Sequence, residues 1–395
     1  MTTTNTTSSI GTDGGRGLES DTGNAVRALF HRQVLQDRLH PGAALAVYHH
    51  GRLVIDEQVG FADTTTGRRV EVDTMFVLFS STKPLASMSV LRLLEQGKLT
   101  LDTPVEELWP GFGQNGKEAV TVGHVLTHRS GFPTTPAELR WQDYGDWDKV
   151  VAAMEGAKAQ YQPGTVSAYH ALNHGWMCGE IVRRVDGRDF PQFLREEITG
   201  PLGMNDTYVG LPAELEARVS KLHAMEDVDV AGSGTVRTFN RPEVHQAVVP
   251  AGCGISTARD MARFYACMVN GGELDGARIL QPETVALAIA IAIDDDFDHT
   301  LQMNMRRGTG FNLGGLGSGA SGADLSGAAR MGRSTSATTF GHGGAGTSIC
   351  WADQDLDVAV VFIPNGYRSA GLEGGPNLMV QRCADISDAV RAACQ

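Results

Sequence analysis

Strand-forming segments stand at the two ends of this chain and helical periodicity fills the space between them, an order that few folds accommodate. Ala43 to Tyr48, the Gly51-Arg52 turn and Leu53 to Val59 read as a strand hairpin. Before it, Val26, Leu29, Phe30, Val34 and Leu35 fall at the spacing of a helix that starts from Gly23. At the far end, Thr347 to Trp351, a polar turn at Asp353-Gln354-Asp355, and Val358 to Ile363 read as a second hairpin, followed by a helix from Leu378 to Ala393. The centre repeats helical spacing in Leu85, Met88, Leu91 and Leu94, in Ile181, Val182 and Val185, and in Met261, Phe264, Tyr265 and Met268. Distant strands of this kind bury their apolar faces by joining one antiparallel sheet, with the helical centre inserted as a lobe. The expected class is α+β: residues 23–80 and 290–395 form a sheet domain flanked by terminal helices, and 81–289 a mainly helical, all-α insertion. Residues 1–22 hold too little apolar material to offset ordering entropy and are expected to be a disordered tail. The Gly/Ser/Ala-rich stretch from Arg307 to Ser336 is short of large apolar groups and is expected to run over the surface.

Composition removes several function classes. The longest apolar run, Val285 to Ile293, stops at Asp294-Asp295-Asp296, well short of the roughly 20 apolar residues a spanning helix needs. No membrane partner is expected. With Lys+Arg 33 against Asp+Glu 46, the formal charge of −13 repels phosphate backbones, so nucleic acid is not an expected partner either. Cys178, Cys253, Cys267, Cys350, Cys383 and Cys394 show no CxxC or metal-like spacing and read as reduced thiols. Met1 to Gly17 lacks the basic and apolar regions of a secretory signal, so the expected location is cytoplasmic.

The tetrad Ser80-Ser81-Thr82-Lys83 enters a helix, with Pro84 in the first turn, where a missing N–H is tolerated. Spacing i to i+3 puts both side chains on one face, so the Lys83 nitrogen can reach the Ser80 hydroxyl. The free N–H groups and partial positive charge of a helix N-terminus favour negative charge developing on an acyl oxygen. Burial of Lys83 would favour its neutral form, which can draw the serine proton. A lone Ser-x-x-Lys also occurs on solvated helix faces, so the tetrad by itself leaves both readings open.

The run Phe76-Val77-Leu78-Phe79-Ser80-Ser81-Thr82-Lys83-Pro84-Leu85 resembles the nucleophile motif of the serine β-lactamase and penicillin-binding protein superfamily. Class C β-lactamases and family VIII carboxylesterases are the nearest groups. The resemblance continues in order through the segments Thr121 to Gly131, Pro163-Gly164-Thr165, Gly200 to Met204, Ser256 to Phe264 and Asn270-Gly271-Gly272, and covers Pro41 to Asn365. It implies a β-lactamase-like fold: an antiparallel sheet flanked by helices beside an α-helical domain, with the active site in the cleft between them. By the same resemblance Tyr169 takes the place of the Tyr-x-Asn tyrosine, which completes the base and later protonates the leaving atom. Two neighbouring cations are expected to lower its phenol from the ordinary value of about 10. Ala171 stands where the family has Asn, which removes an amide used on β-lactams.

The segment Phe340-Gly341-His342-Gly343-Gly344-Ala345-Gly346, placed before a strand at Thr347, resembles the Lys-Thr-Gly strand in its His-x-Gly form. The resemblance implies an oxyanion hole made by the N–H groups of Ser80 and Ala345, with His342, Gly343 and Gly344 against the substrate. His342 would replace a permanent cation by a titratable one, which favours neutral esters over penicillins. His170 faces either the cleft or a helix surface, and Trp141 and Tyr144 either line the acyl or alcohol pocket or pack in the core. The chemistry implied is that of a serine hydrolase cleaving carboxylic esters: Ser80 attacks, Lys83 with Tyr169 carries the proton, and water cleaves the acyl-enzyme. The partner is a small-molecule ester or other acyl donor, and neither metal nor organic cofactor is called for. An acyltransferase or transamidase of secondary metabolism would use the same acyl-enzyme, as would an amidase or weak β-lactamase. A non-catalytic binding module is a further alternative, against which the intact Ser80, Lys83 and Tyr169 argue. No Gly-x-Ser-x-Gly elbow occurs, which excludes the α/β-hydrolase reading. His124 and His128, and the pair His49-His50, read as hydrogen-bonded or solvated histidines, since no third ligand or adjacent general base accompanies them.

Overall fold

The computed structural model describes residues 21–225, 233–315, 327–368 and 377–395. Most of the expected tail and the middle of the Gly/Ser/Ala-rich stretch lie outside the described residues. Among these residues the main sheet has nine strands drawn from both parts of the chain. The N-terminal part supplies β1 (Gly42–His49), β2 (Arg52–Asp63) and β3 (Arg68–Arg69). The C-terminal part supplies β4 (Ile293–Asp298), β5 (Met303–Arg307), β6 (Asn312–Leu313), β7 (Thr339–Gly343), β8 (Ile349–Asp353) and β9 (Val358–Pro364). Their order is β4-β5-β6-β7-β8-β9-β1-β2-β3, antiparallel throughout. The two parts of the chain meet at the β1–β9 seam, where Leu45 stands opposite Phe362 and Val47 opposite Val360.

Helices cover both faces of this sheet, among them α1 (Asp21–Leu35), α4 (Ala258–Val269) and α5 (Leu378–Cys394), and the central residues include α2 (Lys83–Glu95) and α3 (Asn173–Asp186). Side chains alternate along a strand, and β1 uses both sets. Ala43, Leu45 and Val47 join Phe30 of α1 and Ile386 of α5 in one core. Ala44, Ala46 and Tyr48 join Met261 and Phe264 of α4 in the other. Small alanines on that second face let α4 approach the sheet closely. Helix α1 begins at Asp21, two residues earlier than the apolar spacing suggested.

The central residues are mainly helical, but two of their segments join Phe76–Val77 in a small three-stranded sheet in the order Phe76–Val77, Gly254–Ser256, Tyr208–Val209, which helical spacing did not reveal. Helix α2 is buried on every side from Lys83 to Leu91, as expected of a helix packed within a core rather than on a surface. The run Val285 to Ile293 divides between a helix, Pro282–Ile289, and the start of β4, and no helix among the described residues is long and apolar enough to cross a membrane.

The expected surface course of Arg307 to Ser336 needs correction. Arg307, Phe311, Leu313, Arg330 and Met331 are buried. Counting apolar residues missed this because two of the five are arginines, neutralised or satisfied by Asp298 and by main-chain carbonyls.

Candidate active site

The small sheet delivers Ser80. Leu78 N–H donates to Gly254 O at 2.9 Å, and the chain then makes one 3-10 turn, Phe79–Thr82, before α2 begins at Lys83. The tetrad therefore lies on a tight turn feeding the helix rather than inside it. Phe79 has φ +49°, a left-handed conformation that is costly for an aromatic residue and persists only when its surroundings fix it. Phe239 and Tyr367 do so, with ring centroids 4.7 and 5.9 Å away. Thr82 Oγ1 closes the turn by donating to Phe79 O at 2.6 Å and accepting from Gly254 N–H at 2.9 Å. Ser81 Oγ, fully buried, donates to His342 O at 3.0 Å and so ties the turn to β7.

Lys83 is 1% exposed, and its Nζ has three oxygens within hydrogen-bond distance: Ser80 Oγ at 3.1 Å, Ala171 O at 2.7 Å and Ala251 O at 2.9 Å. Burial, helped by the charge of Arg307, pushes its pKa well below the ordinary lysine value. A neutral amine has two hydrogens and one lone pair, and this site fits that inventory. The two carbonyls can only accept, so they take both hydrogens; the lone pair then faces the one partner able to donate, the Ser80 hydroxyl.

Tyr169 is buried, Ser80 is among the groups acting on its phenol, and Lys83 Nζ lies 4.7 Å from the centre of its ring. The expected lowering of this phenol's pKa is reversed. Arg307 and Arg330 do pull it down, but burial outweighs them and raises it. Tyr169 is therefore a proton donor toward Ser80 at neutral pH, and Lys83 is the group able to accept.

His342 and Gly343 belong to β7 itself, and Gly344 to Gly346 turn toward β8; the expected strand at Thr347 begins at Ile349. The His342 ring lies 6.1 Å from that of Tyr169. Burial first, and Lys83 second, push its pKa down to about 3, so this imidazole is neutral rather than a switching cation near neutral pH. Gly344 has no room for a side chain: a Cβ would stand 2.4 Å from both Leu78 O and Ser348 Oγ. That close approach sets the turn against the Ser80 segment. Among the described residues no backbone acceptor takes the N–H of Ser80 or of Ala345, and Ala345 is exposed.

His170 is buried on the loop before α3, not on a helix surface. Its ring bonds Ser130 Oγ at 2.7 Å and Ala168 O at 2.6 Å, and burial lowers its pKa to about 4. Ala171 offers no amide, but its carbonyl receives Lys83. Trp141 lies 4.2 Å beneath the Arg241 guanidinium and Tyr144 packs edge-on against Trp176, contacts that do not include Ser80, Lys83 or Tyr169. His124 Nδ1 accepts Thr121 N–H and His128 Nδ1 accepts His170 N–H, so each histidine is engaged in local hydrogen bonding. Sequence reasoning passed over Asp298, Arg307, Arg330 and His174, which surround Tyr169 and Lys83. Only the quoted segment Thr121 to Gly131 held a signal, since it contains His128 and Ser130.

A family model described as Beta-lactamase matches residues 31–378. The chain is 32% identical over 356 residues to the esterase/beta-lactamase LipL of Mycobacterium tuberculosis, covering 83% of this chain and 78% of that one. A penicillin-binding protein homolog from Caulobacter crescentus superposes with a TM-score of 0.80 at 30% identity, over 95% of this chain and 98% of that one. A family VIII carboxylesterase superposes with a TM-score of 0.78 at 27% identity, over 93% and 98%.

Proposed function

The chain belongs to the Beta-lactamase family, and from that premise we propose that it is a carboxylesterase-type serine hydrolase acting through an acyl-enzyme on Ser80. One observation carries the reading: a buried lysine whose two hydrogens go to main-chain carbonyls and whose remaining contact is the Ser80 hydroxyl. As Ser80 Oγ bonds to the ester carbonyl carbon, its proton passes to Lys83 Nζ. The N–H groups of Ser80 and Ala345 hold the oxyanion. The alcohol leaves as its C–O bond breaks, taking a proton from Tyr169, which recovers one from Lys83. Water then attacks the acyl carbon, giving one proton to the same pair; the bond from that carbon to Ser80 Oγ breaks, Oγ takes the proton back, and the acid leaves.

A neutral small-molecule ester suits the site, because His342 carries no charge to hold a substrate carboxylate. The six cysteines stand free, which supports the proposed cytoplasmic location. Transfer of the acyl group to an amine or alcohol would use the same intermediate and differs only in what reaches the acyl carbon. A panel of short and long p-nitrophenyl esters, matched amides and a chromogenic cephalosporin, each with and without an added amine, tests the reading. Ester cleavage indifferent to amine and faster than amide or cephalosporin cleavage is the expected result. An amide product that forms only with the amine would make the protein a transferase instead.

A further inference from the structure

We propose that the buried Asp298–Arg307 ion pair positions the acylation centre, Asp298 clamping the backbone of the Tyr169 loop and Arg307 setting a permanent positive charge behind Tyr169 and Lys83. The inference rests on the hydrolase reading above and adds two residues to it. Asp298 ends β4 and Arg307 ends β5, and their side chains meet at 2.7 Å with exposures of 0% and 2%. Asp298 Oδ1 accepts the N–H groups of Tyr169, Thr300 and Leu301 at 3.1, 2.9 and 2.8 Å. Arg307 Nη1 donates to Ser167 Oγ at 3.0 Å, and His299 N–H donates to Ser167 O at 3.0 Å. The hairpin β4–β5 thus grips the loop at Ser167 and again at Tyr169.

The charge of Arg307 points the same way. Its guanidinium carbon lies 5.7 Å from the Tyr169 ring centre, and its Nε and Nη2 have no hydrogen-bond partner. The residue borders a cavity of about 10 Å³, large enough for one water, together with Lys83, His128, His174, Asn312 and His342. With Lys83 and Arg307 both buried, screening between them is weak.

Around Lys83 stand Tyr169 and His170 on their loop, His174 and Cys178 on α3, His128 just beyond the short helix Val122–Leu126, His342 on β7 and Arg307 on β5. Burial keeps the histidines deprotonated and the Cys178 thiol protonated, so all five are neutral. Arg307 is the permanent cation acting on Lys83, whereas Arg330 acts on Tyr169 and His342, and Asp298 is the counter-charge of Arg307. Removing the Arg307 charge makes Lys83 easier to protonate. Removing the Asp298 charge leaves Arg307 uncompensated and makes Lys83 harder to protonate.

The test is the pH dependence of kcat/KM for a neutral p-nitrophenyl ester, with the rate of Ser80 labelling by a fluorophosphonate as a second readout, in the full chain. Arg307→Gln is expected to move the acid limb up by about one pH unit, Arg307→Lys to return it toward the wild-type position, and Asp298→Asn to move it down. A merely structural pair would lower activity without opposite displacements. Asn keeps an acceptor for the three N–H groups, so if Arg307→Gln fails to fold, Asp298→Asn still reads the sign. Limbs that stay in place, or move together, overturn the inference alone. Wild-type activity in Ser80→Ala overturns the hydrolase reading and this inference with it.

Discussion

Ser80→Ala is expected to lower kcat/KM for a neutral ester by on the order of 10⁴-fold or more while the protein stays folded. Ser80 is only partly buried, and losing its hydroxyl removes one of three oxygens around Lys83 Nζ. The adjacent Ser81 cannot take over. Its Oγ is engaged by His342 O and by Ser348 Oγ, both at 3.0 Å, on the far side of the turn. The thermal midpoint should therefore remain within a few degrees of wild type, and circular dichroism alongside ester kinetics checks both halves of the expectation. A variant that keeps wild-type turnover would remove Ser80 from the chemistry.

Lys83→Met is expected to lower kcat by on the order of 10²–10⁴-fold, the usual contribution of a positioned general base. Methionine fills a similar volume, but Ala171 O and Ala251 O lose their donor, at a cost of about 1–3 kcal/mol for each group left unpaired. Lys83→Arg should not restore activity, because guanidinium stays protonated at any working pH. The stability effect depends on pH in a fixed direction. A lysine whose folded pKa is depressed releases a proton on folding, so it penalises folding below its unfolded value of about 10.4, and the penalty grows as pH falls toward the folded pKa. The methionine variant lacks this penalty, so its stability relative to wild type should improve as pH is lowered from 9 to 7. Urea midpoints at the two pH values measure it; a difference that does not change with pH would mean that Lys83 is charged in the folded protein.

What the sequence made legible follows from local physics. The strands β1, β8 and β9 carry continuous apolar runs bounded by polar turns, β2 carries two shorter runs, Leu53 to Ile55 and Val59 to Ala62, and α1 and α5 carry one-sided spacing, so residues near in sequence announce them. Ser80 and Lys83 lie on one turn, and their mutual reach follows from spacing alone. The pKa pattern was not accessible in this way. The phenol of Tyr169 was expected to fall because cations attract its anion, but the sequence does not report burial, and burial proved the larger effect. The same reason keeps His342 neutral. Arg307 and Asp298 were invisible for a further reason: a buried charge has no hydrophobic signal, and Asp298 stands opposite Met303 while Arg307 stands opposite Ile293, so the two charges meet through side-chain reach that neither spacing nor register announces. Phe79 is the fourth case, since nothing in an aromatic residue foretells a positive φ; that angle is imposed by Phe239 and Tyr367, each more than a hundred residues away.

The central claim is that a covalent acyl group passes through one hydroxyl. The most direct measurement is intact mass and peptide mapping of protein quenched in acid during turnover of a slowly hydrolysed ester. The account expects a single addition of the acyl mass, confined to the peptide holding Ser80, formed and lost at rates compatible with kcat, and absent from Ser80→Ala. Turnover without any addition, or an addition on another residue that turns over at the catalytic rate, would contradict it.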